Sequence, residues 1–65
     1  MTIFVNGTAH ELADGTTLAA AVRALSPYGD DPVAVLCNGA RRENGEETPL
    51  GEGDDLRIYP LLIGG

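Results

Sequence analysis

Apolar and polar positions follow two different periods along this chain. Thr2-Ile3-Phe4-Val5 is a β-branched and aromatic run that stops at Asn6-Gly7, a strong hairpin signal. The spacing predicts a strand from Thr2 to Asn6 and a partner strand over Thr8 to Leu12. Period two puts Ile3 and Val5 on one face and Phe4 on the other. Ala13-Asp14-Gly15-Thr16 then breaks the alternation, with Thr16 or Thr17 placed to cap a helix. Leu18, Val22 and Leu25 recur at helical spacing, and Ala19, Ala20 and Ala21 favour the helix intrinsically. Ser26-Pro27 ends it, because the residue before a proline avoids the helical region.

Pro27 to Pro32 reads as a loop. Val33-Ala34-Val35-Leu36-Cys37 is the most apolar run, expected as a strand buried largely on both faces. Asn38-Gly39 is a second turn signal, and Ala40 to Thr48 reads as a short strand followed by an irregular loop. Pro49-Leu50 re-enters the core, and Gly51 to Asp54 forms a tight turn. Asp55-Leu56-Arg57-Ile58-Tyr59 alternates, with Leu56 and Ile58 inward and Arg57 and Tyr59 outward. The order strand, strand, helix, strand, short strand, strand predicts an α+β fold, a mixed four- to five-stranded sheet packed on one α-helix. The expected core is Ile3, Val5, Leu12, Leu18, Val22, Leu25, Val35, Cys37, Leu50, Leu56 and Ile58.

Composition narrows the picture. Sixty-five residues allow one domain with one small core, and 43% apolar with 22% charged residues is a globular balance. No apolar run is long enough to cross a membrane, and the first residues lack the regions of a signal peptide, so a cytoplasmic protein is expected. A single cysteine, Cys37, excludes an internal disulfide and a four-cysteine cluster, and with one histidine no bound metal is expected. The net charge of −6, from ten acids against four arginines and no lysine, argues against nucleic acid as a partner. It suits solubility and docking on a basic protein partner. Without lysine, the chain cannot link copies of itself through isopeptide bonds.

The last stretch is Tyr59-Pro60-Leu61-Leu62-Ile63-Gly64-Gly65. Glycines pack no side chain and cost the most entropy to order, although chain ends tolerate small residues in general. The pair suits a thin arm that carries the α-carboxylate of Gly65 into another protein's active site.

Several blocks then fall into a familiar order. They are Met1-Thr2-Ile3-Phe4-Val5, Val5-Asn6-Gly7, Asp14-Gly15-Thr16-Thr17-Leu18, Val35-Leu36-Cys37-Asn38-Gly39, Thr48-Pro49-Leu50, Gly53-Asp54 and Gly64-Gly65. Together they resemble the ubiquitin-like β-grasp proteins, and more closely the bacterial sulfur carrier proteins of the thiamine and molybdopterin pathways (ThiS and MoaD). The resemblance spans the chain and rests on the order of the blocks plus the Gly-Gly. In length the chain resembles the thiamine carriers, whereas Pro60 resembles the molybdopterin carriers. Ala40-Arg41-Arg42 stands where thiamine carriers often have Val-Pro-Arg, so the receiving pathway stays open between thiamine thiazole, molybdopterin and a specialised metabolite.

The resemblance implies a β-grasp domain over residues 1–60 and a flexible tail over residues 61–65. It implies no catalytic residue and no cofactor bound by the chain itself. A ubiquitin-activating-type adenylating enzyme (ThiF/MoeB-like), using ATP and Mg, would activate Gly65. A sulfurtransferase or cysteine desulfurase would supply the sulfur, and a sulfur-accepting synthase would consume the thiocarboxylate. Leu61, Leu62, Ile63 and Gly64 would thread into the partner, and the five-residue arm reaches roughly 15–17 Å when extended. Phe4, Leu36, Tyr59 and Pro60 would form the docking surface. A ubiquitin-like modifier joined through Gly65 to target lysines is the alternative, and a plain binding module is a third. Cys37 is expected as inert core and His10 as solvent-facing. Asp30-Asp31 and Asp54-Asp55 lack metal-site spacing.

Overall fold

The structure is a computed structural model that describes residues 1–61. Among the described residues, five strands form one sheet: β1 (Thr2–Val5), β2 (Thr8–Glu11), β3 (Val33–Cys37), β4 (Ala40–Arg42) and β5 (Asp55–Pro60). One helix, α1 (Leu18–Leu25), connects β2 to β3. The strand order is β2-β1-β5-β3-β4, so the last strand lies in the centre. Pairing is antiparallel except between β1 and β5, which makes the sheet mixed, and the expected α+β class holds.

Local chemistry sets the ends of these elements. Asn6-Gly7 and Asn38-Gly39 close two-residue hairpins, with Asn6 at φ 49° and Asn38 at φ 52°. Asparagine tolerates this left-handed region and glycine is at home in it, which suits the turn type that matches strand twist. Thr17 caps α1 by accepting from the Ala20 N–H at 3.2 Å. The next two amides, of Leu18 and Ala19, donate to the carbonyls of Thr48 and Glu46 at 2.9 and 2.8 Å. The irregular 43–48 loop therefore holds the start of the helix. At its end the Ser26 N–H donates to Val22 O at 2.9 Å.

The core lies between α1 and one sheet face. Ile3, Val35, Leu56 and Ile58 are fully buried there, with Leu18 from the helix. Three differences from the expected core have physical causes. Leu12 and Leu25 lie at the margins and are only partly buried. Ala19 and Ala21 are buried instead, Ala21 within the core cluster and Ala19 outside it, where its amide meets the Glu46 carbonyl. Val33 joins them. The expectation that β3 is buried on both faces is overturned: its burial alternates, with Val33, Val35 and Cys37 inside and Ala34 and Leu36 half-buried on the far side. One helix covers one face, and no element among the described residues covers the other.

Pro60 stands opposite Val33 at the end of β5. The neighbouring carbonyl of Pro32 accepts from the Leu61 N–H at 3.0 Å, and Asp55 O accepts from the Asn38 N–H at 2.8 Å. Odd-numbered positions of β5 thus bond toward β3, and even-numbered ones face β1. Pro60 has no N–H to give and sits where no ladder bond is required of it.

Candidate functional site

The uncovered sheet face is the surface open to a partner. Register places its side chains in rows across the strands. Phe4 lies beside Asp55 on one side and Ala9 on the other. In the next row Leu36 of β3 stands between Arg57 of β5 and Arg41 of β4. Beyond it Tyr59 stands beside Ala34. Phe4 is 37% exposed and Tyr59 48%, and Leu61 continues beyond the strand at 46%. Pro60 is exposed at the strand end, but its place opposite the inward-facing Val33 turns it to the helix side, so the expected docking surface loses it.

The expected docking residues Phe4, Leu36 and Tyr59 do share this face, but they form a diagonal strip. Phe4 pairs at Asp55, four residues along β5 from Tyr59, a separation of about 13 Å. Leu36 is half-buried, with an arginine opposite it on each neighbouring strand. Arg57 also approaches the Asp55 carboxylate at 3.6 Å. Arg41 has no carboxylate within ion-pair distance among the described residues. Two of the four arginines of an acidic chain therefore sit on its one uncovered face. The two-residue turn after Cys37 implies the Leu36–Arg41 pairing, and that was the signal available for it in the sequence.

The strand that leads to the tail is tied at both flanks. The Asn6 side chain takes over the β1 ladder after the backbone has turned away. Its Oδ1 accepts from the Ile58 N–H at 2.8 Å and its Nδ2 donates to Ile58 O at 3.1 Å. Asn38 does similar work at the strand's start. Its Oδ1 accepts from the Asp55 N–H at 3.0 Å and its Nδ2 donates to the Asp54 carboxylate at 3.1 Å. Asp54 also accepts from the Gly51 N–H at 2.8 Å. That carboxylate is a turn staple.

Cys37 is buried on the helix side, and burial, with Asp54 adding to it, pushes its thiol above the ordinary value. A thiol held protonated in a packed core is a poor nucleophile. His10 is half-buried, against the expectation that it faces solvent, because it lines a shallow groove with Val5, Leu25 and Pro27. Arg42, on the helix side opposite Val35, donates to the Glu46 carboxylate and holds it below the usual range. Among the described residues no group of three or more His, Cys, Asp or Glu is placed to hold a metal. No described helix is long and apolar enough to cross a membrane.

The expected tail residues Leu62, Ile63, Gly64 and Gly65 lie outside the described residues, and of the arm only Leu61 is placed. No protein-family model, curated protein or solved structure matches this chain.

Proposed function

We propose that the chain is a ubiquitin-like β-grasp sulfur carrier that works in the cytoplasm through its Gly65 carboxylate. One observation carries the reading. The central strand β5 leaves the sheet at Pro60, one residue past Tyr59 on the uncovered face, and its direction is held by Asn6 and by the Leu61 N–H bond. A partner docked on that face meets Leu61, the first residue of the arm, at a defined place.

The chemistry then follows from the carboxylate, which is a poor electrophile. On an adenylating partner of the ThiF/MoeB type, the Gly65 carboxylate attacks the α-phosphorus of ATP and releases pyrophosphate, with Mg balancing the phosphate charge. Sulfide then displaces AMP and leaves a thiocarboxylate. If the donor is a persulfide on a sulfurtransferase or cysteine desulfurase, an acyl disulfide forms and a second thiol cleaves it. The thiocarboxylate is a tethered nucleophile for a sulfur-accepting synthase, of thiamine thiazole, molybdopterin or a specialised metabolite. Gly64 and Gly65 lack Cβ atoms, so the arm would fit a narrow channel. In this reading the Gly65 carboxylate, and then its thiocarboxylate, is the only reacting group the chain brings to these steps. Because Arg41 and Arg57 flank Leu36, the partner's contact surface is apolar with carboxylates at its rim, the opposite of the basic partner that net charge favours.

The test is the intact mass of protein from its native host, before and after incubation with an adenylating partner, ATP and a sulfur donor. One oxygen exchanged for sulfur, mapped to the Gly65 carboxyl, is the expected result. Gly65 in amide linkage to other proteins makes the chain a modifier. An unchanged carboxylate in the presence of an active partner removes both readings and leaves a binding module.

A further inference from the structure

The chain has three asparagines, Asn6, Asn38 and Asn44, no glutamine, and a glycine after every asparagine. Asn-Gly is the dipeptide in which a side-chain amide is most easily lost, because glycine puts no Cβ in the way of its own nitrogen. The fold treats the three very differently. Asn6 and Asn38 are held at φ 49° and 52° in hairpin turns. In that left-handed conformation ψ is near +47°, which turns the following nitrogen away from Cβ and from the amide carbon it would attack. Each of these side chains is also bonded through both Oδ1 and Nδ2.

Asn44 has neither protection. It lies exposed in the 43–48 loop, outside the positive-φ region, and its one side-chain bond runs from Nδ2 to Val33 O at 3.2 Å. The Gly45 N–H donates to no backbone carbonyl among the described residues.

We infer that Asn44 is a site of spontaneous deamidation, selected by the fold from three equivalent dipeptides. The Gly45 nitrogen gives its proton to solvent base and attacks Cγ of Asn44. A C–N bond forms, the Cγ–Nδ2 bond breaks, and ammonia leaves. Water opens the resulting succinimide at either carbonyl, giving aspartate or isoaspartate with no change of oxidation state. The product cannot donate to Val33 O, so the loop loses that tie. It also places a further negative charge in the groove lined by Asp30, Asp31 and Glu47. Since the same loop supplies the carbonyls that receive the first amides of α1, modification loosens the helix start.

The experiment needs only the intact protein, aged in warm, mildly alkaline buffer and digested with trypsin. Cleavage after Arg23, Arg41, Arg42 and Arg57 puts the three asparagines on separate peptides. In native protein the Asn44 peptide should exchange NH for O about tenfold faster than either other peptide, a difference of ~1.4 kcal/mol in barrier. In denaturant the three rates should converge. Gly45→Ala should slow the native reaction about tenfold. That variant is tolerated structurally, because Gly45 is outside the positive-φ region and a Cβ there meets nothing within 4 Å. Equal or faster loss at Asn6 or Asn38 in native protein overturns the inference. So does an unmodified Asn44 in protein whose denatured form reacts, or an Asn44 lead that persists in denaturant, which would trace to local sequence.

Discussion

The two faces of the sheet are made by the same strands, one residue out of step, and they have opposite characters. On the helix side Ile3, Val35, Leu56 and Ile58 expose nothing to water. One position along, Phe4, Leu36, Arg57 and Tyr59 face outward with no described element laid over them. The first face carries the stability, and the second is left unpacked among the described residues. A chain this small has enough apolar material for one packed interface, so the second face can carry exposed aromatic and charged groups only because folding does not depend on them.

The sharpest way to break the contrast is to truncate one side chain on each face. At ~0.05–0.15 kcal/mol per residue, the whole domain has a stability of roughly 3–10 kcal/mol. Ile58→Ala removes a fully buried side chain and should cost about 2–5 kcal/mol, enough to unfold a large fraction of the molecules. Urea titration followed by circular dichroism reads it, and a loss under about 1 kcal/mol would mean that the helix side is loosely packed. Chemical access gives the second test. Iodoacetamide should alkylate Cys37 at a rate set by unfolding and slower by orders of magnitude than in denatured chain. Equal rates would show the helix side to be open.

On the other face Tyr59→Ala should change stability by less than about 1 kcal/mol. If the face docks an activating enzyme, the same variant should lower kcat/KM for adenylation about tenfold or more. Stability and adenylation falling together would place Tyr59 in the core economy of the fold.

The adjacent arginines give the finest contrast, since Arg42 faces the helix side and Arg41 the open side. Arg42 lowers the Glu46 carboxyl, so the pair contributes stability above the ordinary carboxylate range. That contribution is lost as pH falls through the depressed folded value. Glu46→Gln should therefore flatten the acid limb of the stability profile and leave its alkaline limb in place. Arg41→Ala should shift stability by no more than about 0.5 kcal/mol.

Much of this organisation was legible along the chain. Alternation placed Ile3, Val5, Leu56 and Ile58 inward, Asn6-Gly7 and Asn38-Gly39 marked hairpin turns, and the helix start was narrowed to Thr16 or Thr17, of which Thr17 is the cap. The misreading of β3 came from composition. Ala34 and Leu36 extend an apolar run, but apolar character alone does not say how many faces have a cover, and one helix can cover only one. Alanines in α1 read as helix formers, and their burial depends on which side of the helix the tertiary fold covers. The Asn6 clamp joins residues 52 apart in sequence through a parallel pairing that no local signal announces. The candidate docking residues were legible as outward positions, but their diagonal layout required the register of three strands at once.

Pro60 has a consequence for how the protein behaves among its own copies. Beyond Asn6 no described strand pairs with the β1 flank of the central strand, and Tyr59 and Leu61 lie exposed there. An extended apolar segment with an open flank is the usual nucleus for strand-to-strand aggregation. At the position where a second molecule would find an amide donor, proline presents a ring. At position 60 the strand therefore offers a neighbouring copy a carbonyl without an amide donor, half of the hydrogen-bonded pair that a growing sheet requires there.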